Sequence, residues 1–325
     1  MIPNLDLLRD ATAIAKRRDL SVEQTEAETH DVLSSGSLAL DVLLQTGGLR
    51  SGSIVELVGR PSSGKSTLAL HMLAHAQQAG WPAALIDDDY KFNVKRAAQL
   101  GVHLTELPII TERNTKQVAA FASEMGDAGT KLLVIDSLAG LGDKEELIPL
   151  YVQLKYLLNS LMATCTRTGM LVVVTNEIRA GAFHRDVLQR GSRDVSAGSY
   201  AIHHTASVRV RLELAEHLAF DSKPTGIRVR ATVLKNRWSV GLIPHETTEF
   251  DILFSEGVDR YAEVLDAGVT LGLIGVHNNR YVWGEQTAHG RHAALDLLRA
   301  NPDAWTWLRD QVHLKCFEHT KLSMH

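Results

Sequence analysis

Four short, nearly unbroken apolar runs dominate the hydrophobic pattern between positions 54 and 175. They cover 54–58, Ala83–Asp87, Leu132–Asp136 and 170–175. Runs of this length without polar alternation suit strands covered on both faces. Segments with helical apolar spacing separate them, notably 66–78 and 151–165. Alternating strands and helices predict an α/β fold with a mostly parallel sheet. Two later stretches, 206–214 and 226–235, alternate apolar and polar residues and predict half-exposed strands. Within them Arg209/Arg211 and Arg228/Arg230 recur with period two, which predicts a solvated sheet face. The adjacent His203-His204, read as part of a strand, point to opposite faces, which argues against a metal pair. After Gly257 the chain turns helix-rich, with breaks at Gly272, Gly275, Asn278-Asn279, Gly290 and Asn301-Pro302. Trp283, Trp305 and Trp307 are expected in the core of that last segment. At the other end, residues 4–18 predict a short amphipathic helix with Asn4 as N-cap and Leu7, Leu8, Ala11, Ile14 and Ala15 on one face. So short a stripe needs a surface to dock on. Ser21 and Gln24 in the following polar stretch are spaced as a capping box.

Composition narrows the function classes. The 325 residues carry 45% apolar and 22% charged side chains, as in a globular protein. No stretch approaches the roughly 20 apolar residues needed to cross a bilayer. The first residues place their charges after the apolar positions and lack a cleavage site, unlike a secretory signal. Two distant cysteines, Cys165 and Cys316, suggest neither a disulfide framework nor a zinc knuckle, which fits a reducing, cytoplasmic setting. With a net charge of −4, any nucleic-acid contact must come from local basic residues.

The strongest chemical signal is Gly59-Arg60-Pro61-Ser62-Ser63-Gly64-Lys65-Ser66, followed by Thr67, which matches G-x-x-x-x-G-K-[ST] at every fixed position. It follows an apolar strand and opens a helix, the context in which backbone amides wrap phosphates at a helix N-terminus. Lys65 is expected to reach the β- and γ-phosphates of ATP, and Ser66 to supply an oxygen to Mg²⁺. Asp136 ends the run 132–136 and is the expected acid of the magnesium shell.

Further residues resemble the bacterial RecA recombinase family. Ser35-Gly36-Ser37-Leu38-Ala39-Leu40-Asp41, Gly47-Gly48-Leu49 and the phosphate loop fall in that family's order. So do Asn176-Glu177-Ile178-Arg179, Ala206-Ser207-Val208-Arg209, Lys235-Asn236-Arg237, Ile252-Leu253-Phe254-Ser255-Glu256-Gly257 and Asn301-Pro302. The resemblance covers nearly the whole chain. It implies a RecA-like P-loop core with an N-terminal helix and a small α/β C-terminal domain. The expected division is 1–32 for subunit docking, 33–257 for the ATPase core and 258–325 for the C-terminal domain. It also implies a DNA-dependent ATPase that forms homo-oligomeric helical filaments on single-stranded DNA and pairs it with double-stranded DNA. Lys235 and Arg237 match the family's pair of cations that reach the γ-phosphate from the adjacent subunit.

Four features depart from the family. Its catalytic glutamate is Asp89 here, with an acidic turn facing solvent as the other reading of 87–89. Its γ-phosphate-sensing glutamine is Glu177, and a carboxylate lacks the amide's donor. The span from Asp136 to Asn176 is shorter, which reduces the first DNA loop to something like 142–149, and expected arginines are replaced by Val152 and Asn159, with Lys155 nearby. The adenine-stacking tyrosine is Arg96, whose planar guanidinium also stacks. Residues 179–198 stand at the second DNA loop, where Arg179, Phe183, His184, Arg185, Arg190 and Arg193 suit a single strand. Slow hydrolysis is expected. Two functions fit: a diverged recombinase, or a paralogue that acts as an ATP-switched accessory module without strand exchange.

Overall fold

A computed structural model describes residues 30–88, 90–142, 148–180, 194–196, 199–239 and 245–322. The expected helix at 4–18 and the capping box at Ser21 lie outside the described residues. Strands β1 (Val32–Leu33) and β2 (Leu49–Arg50) form a small antiparallel pair around helix α1 (Leu38–Leu43). The main sheet begins with β3 (Ile54–Gly59), β4 (Ala83–Asp87), β5 (Ile109–Thr111), β6 (Leu132–Asp136) and β7 (Leu171–Ala180). It continues with β8 (Asp194–Ser196), β9 (Val208–Phe220), β10 (Lys223–Asn236), β11 (Thr247–Leu253) and β12 (Gly257–Val258). Among the described residues these strands form one ten-stranded sheet ordered β12-β11-β10-β9-β3-β7-β6-β4-β5, with β8 paired to β7. The six strands from β9 to β5 run parallel, and β10, β11 and β12 join antiparallel.

Alternation within the buried runs divides the core between the two sheet faces. Val55, Leu57, Leu132, Val134 and Val173 point to one side, where Leu68, Met72 and Leu73 of helix α2 (Lys65–Gln78) pack. Ile54, Leu133, Ile135, Val172 and Val174 point to the other. Helices α4 (Thr115–Asp127) and α5 (Leu150–Thr168) cover that face, with Val118, Ala122, Leu157 and Leu161 inward. Helix α3 (Val94–Gln99) lies between β4 and β5, and α6 (Ser199–Thr205) precedes β9. Ile202 of α6 is fully buried in the second cluster, so His203-His204 sit on a helix and not on a strand.

Strand β9 is buried from Val208 to Val210 and again at Leu212, where β3 flanks it, and largely exposed beyond. Its outer part forms a hairpin with β10, closed by Asp221 and Ser222 at φ of 49° and 62°, as a tight two-residue turn requires. The half-exposed reading therefore holds for the outer hairpin and fails for the inner strand. Arg209 is only 5% exposed, which overturns the solvated-face reading at that position.

The last segment holds α7 (Arg260–Thr270), α8 (Arg291–Ala300) and α9 (Pro302–Leu322). Between α7 and α8 lies an antiparallel meander of β13 (Gly275–His277), β14 (Arg280–Trp283) and β15 (Gln286–His289). Asn278 and Asn279, both at positive φ, are its first turn and not a simple helix break. Trp283 is buried and Trp305 packs against the same cluster, while Trp307 is 46% exposed and lies outside that core.

Glu263 of α7 reaches the start of α1. Its Oε1 accepts from Ser37 Oγ at 2.5 Å and Ala39 N at 3.2 Å, and its Oε2 from Leu38 N at 3.1 Å. Nearby Asp41 accepts from Ser34 Oγ at 2.6 Å and Ser35 N at 2.8 Å. Burial pushes both carboxyls up to about 7 against the pull of these donors. Burial likewise pushes His71 of α2 down to about 4, and its Nε2 accepts from Val258 N at 2.9 Å. Asp41 and Glu263 line a cleft together with His75, Arg260, Arg309 and His313. The raised carboxyls contribute stability that is present below their unfolded values and lost as pH rises through about 7. The depressed histidine contributes stability present above its ordinary 6.5 and lost as pH falls towards about 4. Because two carboxyls outweigh one histidine over the same window, thermal stability is expected to fall as pH rises from about 4 to about 7 and to level off above. Glu263→Gln should remove about half of the carboxyl contribution to that fall. A fall between about pH 4 and 7 that is unchanged in both Glu263→Gln and Asp41→Asn would show carboxyls that are ionised throughout.

Candidate nucleotide site

The carboxyl ends of β3, β4, β6 and β7 lie side by side, with Gly59 in register with Glu177 and Asp87 with Asp136. Ligands of open α/β sheets bind at such ends. The loop from Gly59 to Gly64 turns here into α2. A Cβ on Gly59 would meet Leu212 O at 2.3 Å and Ser63 Oγ at 2.6 Å, so β9 leaves room only for hydrogen. Gly64 has φ of 91°, and a Cβ there would press on Ile252 at 2.7 Å. Ser62 also sits in the left-handed region, and Arg60, Pro61, Ser62 and Ser66 are exposed along the rim. Thr67 is half-buried in the first turn of α2.

Lys65 Nζ donates to Gly59 O at 3.0 Å and Arg60 O at 2.7 Å, which holds the ammonium at the mouth of the loop. Burial lowers its proton affinity, while the charges of Glu177 and Asp136 oppose that shift. Those two acids therefore share an electrostatic neighbourhood with Lys65. Asp136 Oδ1 accepts a short hydrogen bond from Thr175 Oγ1, which fixes the carboxylate at the end of β6. Glu177 N donates to Asn176 Oδ1 at 3.0 Å. Two hard oxygen donors, Ser66 and Asp136, beside a glycine cradle fit magnesium held mainly by phosphates and water.

The acidic triplet divides unexpectedly. Asp87 and Asp88 are 5% and 4% exposed, so neither belongs to a solvated turn. Asp87 Oδ2 accepts from Phe92 N at 2.9 Å. Asp88 Oδ2 accepts from Ser137 Oγ at 3.2 Å, and burial raises its proton affinity. Gly140 is obligatory there, since a Cβ would stand 1.6 Å from Asp88 Oδ2. Asp89 lies outside the described residues.

Arg96 on α3 donates to Phe254 O at 2.7 Å and Leu253 O at 3.3 Å, which ties α3 to the end of β11. Lys235 lies at the end of β10 and Arg237 just past it. Lys235 Nζ donates to His203 O at 2.7 Å and Arg237 Nη2 to His204 O at 3.5 Å, placing two cations on carbonyls at the end of α6. Burial depresses Lys235, and Arg237 and Arg209 add to the effect. Of the expected DNA loop, Arg179 lies on β7, its side chain undescribed, and Phe183, His184, Arg185, Arg190 and Arg193 lie outside the described residues. The pattern at 150–156 carried an unread signal: Tyr151 is 70% and Tyr156 55% exposed on α5.

Phosphate loop, strand-end acid and parallel sheet define a P-loop nucleotide-binding fold. The RecA N-terminal domain family matches residues 13–259. Protein RecA of Cytophaga hutchinsonii is 32% identical over 304 residues, covering 90% of this chain and 82% of the relative. Protein RecA of Caulobacter vibrioides is 33% identical over 292 residues, covering 86% and 80%. That of Bacteroides thetaiotaomicron is 32% identical over 302 residues, covering 90% and 88%. The chain belongs to the RecA family. Among the described residues no helix is long and apolar enough to cross a membrane.

Proposed function

We propose that this protein is an ATP-dependent DNA-binding recombinase that assembles as a filament on single-stranded DNA and promotes its pairing with a homologous duplex. The observation that carries this reading is the convergence of Lys65, Asp136 and Glu177 at one sheet end, with Lys235 and Arg237 mounted on α6. The segment before α6 is the one where Arg179, Phe183, His184, Arg185, Arg190 and Arg193 would meet DNA.

The loop amides and Lys65 bind the phosphates, and Arg96 lies against adenine with its guanidinium plane set by two carbonyls. Ser66 and Asp136 would hold Mg²⁺, which would neutralise phosphate charge there. Asp89 orients the attacking water. Lys235 and Arg237 leave their carbonyls to reach the neighbouring subunit's γ-phosphate, where a trans cation stabilises the transition state.

The accessory-module reading has its own support. The exposed start of α5 presents Tyr151, Val152 and Tyr156, with Lys155 as its cation, so phosphate contacts are sparse there. Electron microscopy with an ATP analogue and single-stranded DNA separates the readings. Continuous filaments support the recombinase, and discrete complexes the module.

Glu177 gives a further test. Its carboxylate shares Lys65's neighbourhood and has no amide donor to offer phosphate. Glu177→Gln is expected to tighten DNA binding in the ATP state roughly tenfold by removing a repulsive charge. Asp89→Glu should raise turnover by roughly tenfold or more, since displacements near 1 Å cost up to about 100-fold. DNA affinity and DNA-stimulated hydrolysis of both variants and their double check this. Parental values in all three would place both residues away from the γ-phosphate, and collapsed turnover in Glu177→Gln would make Glu177 the catalytic base.

A further inference from the structure

Strand β3 carries one charge inside its apolar run, and that charge is fully buried: Glu56 is 0% exposed at the centre of the parallel sheet. Both its oxygens are engaged. Oε1 accepts from Asn176 Nδ2 at 2.7 Å on β7, and Oε2 from Arg209 Nε at 2.5 Å on β9, directly across the ladder. Arg209 Nη1 lies 2.8 Å from Nδ1 and 3.0 Å from Nε2 of His203, within reach of whichever ring nitrogen is unprotonated. The main-chain carbonyl of the same His203 receives Lys235 Nζ at 2.7 Å. At the opposite end, Asn176 Oδ1 accepts the main-chain N–H of Glu177 at 3.0 Å. A continuous line of contacts thus runs across β7, β3 and β9 to α6 and the end of β10.

A buried ion pair is a weak source of stability, since well-packed apolar residues of similar volume often do as well. Geometric specification is the better-supported use of such a pair. We infer that Glu56 and Arg209 are positioning residues that tie the γ-phosphate end of β7 to the Lys235 arm, so that one subunit's own nucleotide site sets the cation it presents to its neighbour. The inference rests on the proposed role of Lys235 towards the adjacent nucleotide. The strut fixes Glu177 through Asn176 and fixes His203 through Arg209. A shift of β7 at Glu177 is then felt at the carbonyl that holds Lys235.

Glu56→Ala would leave Arg209 buried and unpaired and threatens the fold itself, so the test uses gentler variants. His203 is exposed, and His203→Ala removes the ring contact while keeping the carbonyl. Arg209→Lys keeps a cation for Glu56 but is too short and unforked to reach His203 as well. His203→Gln retains an acceptor for Arg209. Thermal unfolding controls for structure, and ATP-driven assembly is followed by light scattering against ATP concentration. His203→Ala and Arg209→Lys are expected to weaken ATP-driven assembly about tenfold, with His203→Gln recovering most of it. In a Lys235→Ala background, His203→Ala should add less than about twofold, because both changes cut one line. Additive losses, or no recovery with glutamine, would overturn the strut. If Lys235→Ala alone leaves assembly and hydrolysis intact, the trans-cation reading fails first, and the strut falls with it.

Discussion

Lys65→Ala is expected to abolish ATP-dependent DNA binding while leaving the fold intact. The ammonium at the loop mouth donates to Gly59 O, Arg60 O and Ser63 Oγ, all in the loop itself, so the apolar core loses nothing when it is removed. Charge-assisted bonds contribute about 1.5–3 kcal/mol each, so losing two to the phosphates lowers ATP affinity by roughly 100-fold or more. Asp136 and Glu177, whose charges act on Lys65, are then left without that cation beside a polyanion. Both effects have the same sign. Equilibrium binding of a fluorescent ATP analogue and of single-stranded DNA, with and without ATP, measures the loss, and Lys65→Arg tests whether charge alone suffices. A folded Lys65→Ala protein with full ATP-dependent DNA affinity would remove the nucleotide from this loop.

Much of the core was legible because buried parallel strands leave an unmistakable pattern. Apolar runs at 54–58, Ala83–Asp87 and Leu132–Asp136 became β3, β4 and β6 with at most one residue added. Strand β7 continues to Ala180 through polar Asn176 and Glu177, because pairing with β3 and β8 sustains it where apolar content does not. The meander β13–β15 was missed since its strands are three or four residues long and largely exposed, so no period develops. Its signal lay in Asn278-Asn279, two residues that tolerate positive φ at a hairpin turn.

The site shows a sharper division. Motif spacing singled out Lys65 and Asp136, and the fold brings the two charges within reach of each other. Period two at Arg209 gave the face correctly but said nothing of what covers it, and Glu56 across the ladder turns that face inward. His203-His204 were misplaced because Ser199–Thr205 is too short for helical periodicity; the burial of Ile202 and the packing of α6 on α5 decide its form. A charge within 54–58 was the visible hint of the buried network, since Glu is rarely fully buried without a partner.

Lys235→Ala/Arg237→Ala is expected to leave ATP binding by the single subunit close to parental and to reduce hydrolysis in the assembled state by roughly 1000-fold, the range in which trans cations act. Both side chains rest on carbonyls of α6, apart from the phosphate loop of their own chain, so the variant keeps its P-loop. The decisive measurement mixes this variant with Lys65→Ala. In a head-to-tail assembly each site joins the loop of one subunit to the cations of the next. A loop-intact subunit beside a cation-intact one then rebuilds a complete site, although neither variant has one alone. Equal mixing with random order gives about a quarter of the interfaces in that arrangement. Turnover per subunit should therefore rise from near zero to roughly a quarter of the parental rate and follow a bell-shaped dependence on mixing ratio. Flat, inactive mixtures of folded, co-assembling proteins would show that Lys235 and Arg237 serve the nucleotide of their own chain or none.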